Sequence, residues 1–278
     1  MPPKDSIANT FIVSLVLCIV CSLLVSGAAV SLKPRQKRNQ ELDQKRNIIE
    51  AASLSEDPKG LSGKEVEEIF DSQVTRQLLD IDSDNYVSEP DPSFDPRQAA
   101  KDDSLNVEIT GSEFDIGFAK REQQTWVYLV KDTDGKIKKV VLPIYGMGLW
   151  GPLYGFVAID SDFRTIQGLT FYEHKETPGL GGEVDNKLWK AKWVGKQIWE
   201  EVDGNKNIGD DEHLMVGVAK GAPLPEKAKY MVDGLSGATI TSRGVDSMLN
   251  YWFSENGFGP YLKKLAAQQG DSDGSPNG

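Results

Sequence analysis

The chain has 278 residues, 39% of them hydrophobic, and a formal net charge of -11. That length accommodates one good-sized domain plus an anchor, and six Trp, eight Tyr and ten Phe supply large apolar groups for a core or for stacking on a planar ligand. The acidic balance, with no basic stripe interleaved with aromatics, argues against nucleic acid as a partner, because phosphate binding needs clustered Lys and Arg.

From Phe11 to Leu32 the chain reads FIVSLVLCIVCSLLVSGAAVSL, without a charge. That run is long enough to span a bilayer as a helix. A cleaved signal peptide is the competing reading, with Ser26 to Ala29 imitating a cleavage site. The apolar stretch exceeds a typical signal core of about 7–15 residues, and its positive flank lies on the wrong side. An uncleaved single span is therefore expected. Both cysteines, Cys18 and Cys21, fall inside it, so the rest of the chain has no thiol for a disulfide or metal site, and no metal is expected. Lys33, Arg35, Lys37, Arg38, Lys45 and Arg46 follow the span while only Lys4 precedes it. By the positive-inside rule alone, the large domain would stay in the cytoplasm.

Beyond the span, apolar residues among charges predict a stalk helix over Gln36 to Leu54 and a second helix over Gly63 to Leu79. Asp80 to Ser104 turns acidic and proline-containing and reads as a surface loop or linker. Strand patterns follow at Thr125–Lys131 and Lys136–Ile144, joined by an Asp-Thr-Asp-Gly turn. Further strands are expected near Tyr154–Asp160, Thr165–Tyr172 and Leu214–Ala219, with a Trp-rich helix over Asn186–Trp199. A last amphipathic helix is predicted from about Ser242 to Ser254, with a small, polar, disordered tail from Gln268. Strands in hairpin-like order with helices at the ends predict an α+β fold, mainly antiparallel sheet flanked by helices, behind one transmembrane helix.

Asp233-Gly-Leu-Ser-Gly-Ala-Thr-Ile-Thr-Ser242 carries the clearest chemistry. It is small and hydroxyl-rich and runs into the start of the last helix, where unpaired N–H groups and the dipole favour an anion such as phosphate. Thr241 or Ser242 acting as an ordinary helix cap, with the glycines shaping a turn, fits the same residues. A serine-hydrolase elbow around Ser236 needs His and Asp partners. Nothing in the sequence couples His174 or His213 to it.

Asp233 to Thr239 resembles the flavinylation motif Asp-x-x-Ser/Thr-Gly-Ala-Thr of the FMN-binding domain family. Two further blocks strengthen the likeness. Glu173-His-Lys-Glu-Thr-Pro-Gly-Leu-Gly-Gly-Glu183 resembles the segment that lies against the flavin, and Tyr145-Gly-Met-Gly-Leu-Trp-Gly-Pro-Leu-Tyr-Gly155 resembles the family's G-x-G-L-W-G stretch. With the Trp189 to Lys196 region and the KRNQELDQKRNI stalk, the whole chain is similar to the C-subunit family of sodium-translocating NADH:quinone reductases.

The resemblance implies covalent FMN, joined by a flavin transferase through its phosphate to Thr239, with Asp233, Ser236, Gly237 and Ala238 completing the motif. It places Leu149, Trp150, Glu176, Thr177, Pro178, Gly179, Leu180, Gly181 and Thr241 around the cofactor. No catalytic residue of the chain's own is implied: the protein relays single electrons between centres of an NADH:ubiquinone reductase in which sodium is pumped. Its partners would be the A, B, D, E and F subunits, in the bacterial inner membrane, with the soluble domain periplasmic, against the charge rule above. The implied organisation is a short segment 1–10, a span at 11–32, stalk helices and acidic linker over 33–104, an FMN-binding domain at 105–267 and a tail at 268–278. A G-type subunit of an Rnf-like complex and an anchored binding module without cofactor are the alternatives.

Overall fold

The computed structural model describes residues 6–109, 113–200 and 213–273. The chain divides into two compact units, 1–44 and 45–278. In the first, helix α1 (Ile7–Ala51) begins, and Phe11, Leu15, Leu23 and Leu24 are exposed along it. The helix is long and apolar enough to cross a membrane. Span and stalk, expected as separate elements, are one continuous helix through Pro34.

The second unit is built on a six-stranded, wholly antiparallel sheet in the order β2-β1-β5-β6-β7-β8. Its strands are β1 (Val74–Asp80), β2 (Asn85–Tyr86), β5 (Gln124–Lys131), β6 (Ile137–Met147), β7 (Pro152–Asp160) and β8 (Ile166–Glu173). Between β2 and β5 lie the short helix α3 (Pro96–Ala99) and a small hairpin, β3 (Asn106–Glu108) with β4 (Lys120–Glu122). After β8 come helix α4 (Lys187–Ala191), strand β9 (Gly217–Ala219) paired in parallel with β10 (Met231–Asp233), and helices α5 (Thr239–Phe253) and α6 (Gly259–Asp273).

Helix α5 is amphipathic, and its buried Val245, Met248, Leu249 and Trp252 pack in one core with Val127, Leu129, Val140, Leu142, Ile144, Val157 and Ile159 of the sheet. Buried outside that core are Ile48 and Ile49 from the end of α1, Val66 and Phe70 from α2 (Gly63–Gln73), and Val141 and Phe156. Both faces of the sheet are thus covered, which explains why β7 is buried nearly throughout rather than alternating. Two contacts bring the end of α1 to this unit. Gly168 lies so close to the Ala51 carbonyl that a Cβ there would overlap it. Lys190, buried in α4, donates to Glu50 at 2.7 Å and Asp185 at 2.8 Å.

Several boundaries differ from those expected. The second helix stops at Gln73, and residues 74–80 form β1, paired along its length with β5. The stretch from Asp80 to Ser104 is folded onto the domain: Trp126 Nε1 donates to the Phe94 carbonyl at 2.9 Å, and the Arg97 guanidinium stacks 3.6 Å from the Tyr154 ring centre. This stretch belongs to the same compact unit as the sheet. The Trp-rich helix is only Lys187–Ala191, because Gly195 turns left-handed at φ +83 and Trp193 and Trp199 insert into the core as part of an irregular segment. The strand expected from Leu214 is confined to Gly217–Ala219. Helix α6 continues through Asp273, past the expected start of the tail at Gln268. Buried Tyr261, Leu262 and Leu265 anchor its earlier turns, and propagation from an anchored helix is favourable. Residues 274–278 of that tail lie outside the described residues.

Candidate functional site

Strand β10 ends at Asp233 and the chain turns into α5 within five residues. Gly234 N–H donates to the Ala219 carbonyl at 2.9 Å, Ser242 Oγ accepts from Leu235 N–H at 2.9 Å, and Gly237 takes a left-handed φ of +71. Helix α5 starts at Thr239, three residues earlier than its amphipathic pattern indicates. Ala238 at the cap position supplies no side-chain bond. The first-turn N–H groups of a 15-residue helix are therefore left to an outside acceptor. Thr241 and Ser242 do not cap: both lie inside the helix and are buried, with their hydroxyls engaged elsewhere. Thr239, by contrast, is exposed.

Glu176 ties the three sequence blocks together. Its side chain is 5% exposed. Oε1 accepts from the Trp150 backbone N–H at 2.9 Å, and Oε2 accepts from Thr241 Oγ1 at 2.5 Å. Gly148 and Gly181 give it room, since a Cβ on either would overlap the carboxylate. Its own N–H donates to His174 Nδ1 at 3.3 Å, so that histidine is tied to the Glu176 loop.

The loop from Thr177 closes on itself, its carbonyl accepting from Leu180 and Gly182, with Gly179 left-handed at φ +78. It carries exposed Pro178 and Leu180, and Leu180 Cδ2 sits 3.1 Å from where a Cβ on Gly237 would stand. On the glycine loop, Leu149 and Trp150 are also exposed, Trp150 by 64%. A loop of large apolar side chains left in solvent, beside a helix N-terminus rich in donors, is the surface a planar ring with an attached phosphate would cover.

The glycine loop is held from beneath. Gly148 N–H donates to Gly151 O at 2.8 Å, and Gly244 of α5 is pressed against the Met147 carbonyl, where any side chain would clash. Trp252 Nε1 donates to the Tyr145 carbonyl at 2.8 Å, and the Tyr145 hydroxyl donates to buried Glu122 at 2.7 Å. Burial pushes the Glu122 carboxyl above its usual range, although Tyr145 and Arg121 pull the other way.

Of the expected motif residues, Ser236 and Gly237 are exposed beside Thr239 and Ala238 is buried. Asp233 faces a partner that its place in the motif does not indicate: Lys192 Nζ reaches both its carboxylate oxygens, and Trp189 Nε1 donates to its carbonyl at 2.9 Å. The three-residue spacing of Trp189 and Lys192 is the only sequence signal for that shared face. Among the described residues no cluster of His, Cys, Asp and Glu fits a metal ion.

Residues 148–254 match the FMN-binding domain family, a range that contains all three blocks' contacts with Glu176. Over 95% of its length the chain is 45% identical to the C subunit of the Na(+)-translocating NADH-quinone reductase of Pseudomonas aeruginosa, covering 98% of that protein. It is 42% identical to the corresponding protein of Yersinia pestis, with 94% of each chain covered. The chain belongs to the C-subunit family of Na(+)-translocating NADH-quinone reductases. The crystal structure of Shewanella oneidensis NqrC superposes with a TM-score of 0.69 at 32% identity, covering 84% of this chain and 99% of that one. The corresponding protein of Parabacteroides distasonis gives 0.61 at 28% identity, over 84% of this chain and 96% of that one. As a member of that family, this chain is part of an oxidoreductase complex, and its α+β fold is the one its structural relatives have.

Proposed function

We propose that this protein bears FMN joined through its phosphate to Thr239 Oγ, and that it relays single electrons between redox centres of the membrane complex. The observation that carries the reading is exposed Thr239 at an uncapped helix start whose first turn is tied through Glu176 to the loop bearing exposed Leu149 and Trp150. When bound, FMN supplies a centre that takes up and gives out electrons one at a time. The chain's part is attachment, orientation and electrostatics.

Attachment needs a hydroxyl that reaches phosphorus. With a flavin transferase, Thr239 Oγ bonds to the phosphorus of the FMN half of FAD, the bond to AMP breaks, and the hydroxyl proton is released. The N–H groups of the first turn of α5 would hold the phosphodiester, and the small residues Gly237 and Ala238 leave the transferase room. Leu149, Trp150, Thr177, Pro178 and Leu180 would border the ring, with Gly179 and Gly181 allowing the backbone to approach. Helix α1 anchors the protein as a single span in the bacterial inner membrane, with the flavin domain on the periplasmic side and the other Nqr subunits as its electron-transfer neighbours.

The experiment is in-gel fluorescence of the denatured full chain after co-expression with a flavin transferase. A fluorescent wild-type band that goes dark in Thr239→Ala supports attachment at that residue. A dark wild-type band, with the transferase active on another target, removes the flavoprotein reading.

A further inference from the structure

Glu176 is a carboxylate sealed at the centre of the cradle with neutral partners only. It receives an amide N–H from Trp150 and a hydroxyl from Thr241, and among the described residues no cation pairs with it. Sealing an uncompensated carboxylate is costly, and a glutamine of the same shape meets the same two neighbours. Gln Oε1 can accept the Trp150 N–H, and Gln Nε2 can donate to Thr241 Oγ1 once that hydroxyl turns. Tethering the loops therefore does not call for a carboxylate, and a buried one beside the proposed flavin site is placed to act on it electrostatically.

We propose that Glu176 is an electrostatic positioning residue that holds the flavin's reduction potential down. This rests on the attachment of FMN proposed above. The carboxylate is bonded to the backbone of the loop that bears Leu149 and Trp150 and to Thr241, two residues after Thr239, and it is 5% exposed, so little water screens it. A fixed negative charge raises the free energy of any state in which the neighbouring centre has gained an electron. A flavin so tuned gives up its electron more readily to the next acceptor.

The test is a potentiometric titration of the flavinylated full chain with dithionite as the electron donor, comparing wild type, Glu176→Gln and Glu176→Asp, with circular dichroism as a check on folding. Flavinylated Glu176→Gln is expected to be reduced more easily by roughly tenfold, about 59 mV for a one-electron couple. Glu176→Asp, which keeps the charge, is expected to stay near the wild-type potential. Equal potentials in wild type and Glu176→Gln overturn the proposal, as does an equal upward shift in both variants, which would make the effect one of shape. A Glu176→Gln chain that fails to fold, or folds and takes up no flavin, also overturns it, because the carboxylate would then serve the fold or the transferase. A wild-type chain that takes up no flavin fails at the earlier step and is distinguished by its dark band.

Discussion

Lys192 Nζ stands 2.8 Å from both carboxylate oxygens of Asp233, the last residue of β10 before the turn into α5. One turn earlier, Trp189 donates its indole N–H to the carbonyl of the same aspartate. The segment around α4 thus grips the strand end from which the loop to Thr239 departs, from a region more than forty residues upstream.

Lys192→Ala is expected to lower the covalent flavin yield severalfold while leaving the fold nearly unchanged. Both partners are partly exposed, so the pair contributes no more than about 1 kcal/mol to stability. Lys192→Arg should restore most of the yield. In-gel flavin fluorescence normalised to protein, with thermal unfolding alongside, checks both statements.

Glu122 supplies a pH prediction. Its folded-state pKa is raised above the ordinary value of 4.5 by burial. Between the unfolded and folded values the native state binds the extra proton, so this group's contribution to stability falls as pH rises through that window. Glu122→Gln keeps an acceptor for the Tyr145 hydroxyl and removes the ionisation. The variant is expected to lack that downward contribution and to be more stable than wild type by about 1–3 kcal/mol above the window. Urea denaturation of both chains across mildly acid to neutral pH tests it, and a difference independent of pH would refute the assignment.

What the sequence made legible, and what it hid, follows from periodicity. Val74 and Leu78 are four apart, a spacing that shares a face on a helix and also on a strand, so α2 seemed to run on where β1 begins. The β-branched pair Val74-Thr75 was the available signal. The acidic stretch from Asp80 misled by composition. Several of its aspartates accept nearby backbone N–H groups, as Asp91 does from Ser93 at 2.8 Å and Asp102 from Ser104 at 2.9 Å. Those are turn-forming roles in an ordered segment. The three blocks around the site were readable because glycines, prolines and hydroxyls form local patterns. The Glu176 bridge was not, since it joins residues up to 65 positions apart. Nor was the start of α5 at Thr239, where helix geometry begins before the apolar stripe does.

Gly244→Ala probes the seat of the glycine loop. The added methyl group would meet the Met147 carbonyl, which is backbone and cannot swing aside. Forcing α5 away from the end of β6 is expected to cost about 1–3 kcal/mol and to displace Gly148 and with it Glu176. Gly221→Ala, where a Cβ meets open space, serves as the control and should change stability little. Thermal unfolding of the two variants separates the cases.

The last prediction concerns which hydroxyl the proposed attachment uses. Thr239 and Thr241 both lie in the first turn of α5, and residue type alone does not choose between them. Burial does: Thr241 is 1% exposed with its hydroxyl committed to Glu176, whereas Thr239 is exposed. A nucleophile must reach phosphorus on a substrate held by another protein, so only Thr239 qualifies. Thr239→Val is expected to abolish covalent flavin with stability almost unchanged. Thr241→Val should retain covalent flavin and lose about 1–3 kcal/mol of stability, because Glu176 Oε2 is left buried without its donor. Mass spectrometry of tryptic peptides across Gly234 to Arg243, paired with denaturation curves, reads both effects. A flavin mass on Thr241, or its loss in Thr241→Val with the fold intact, would reverse the assignment.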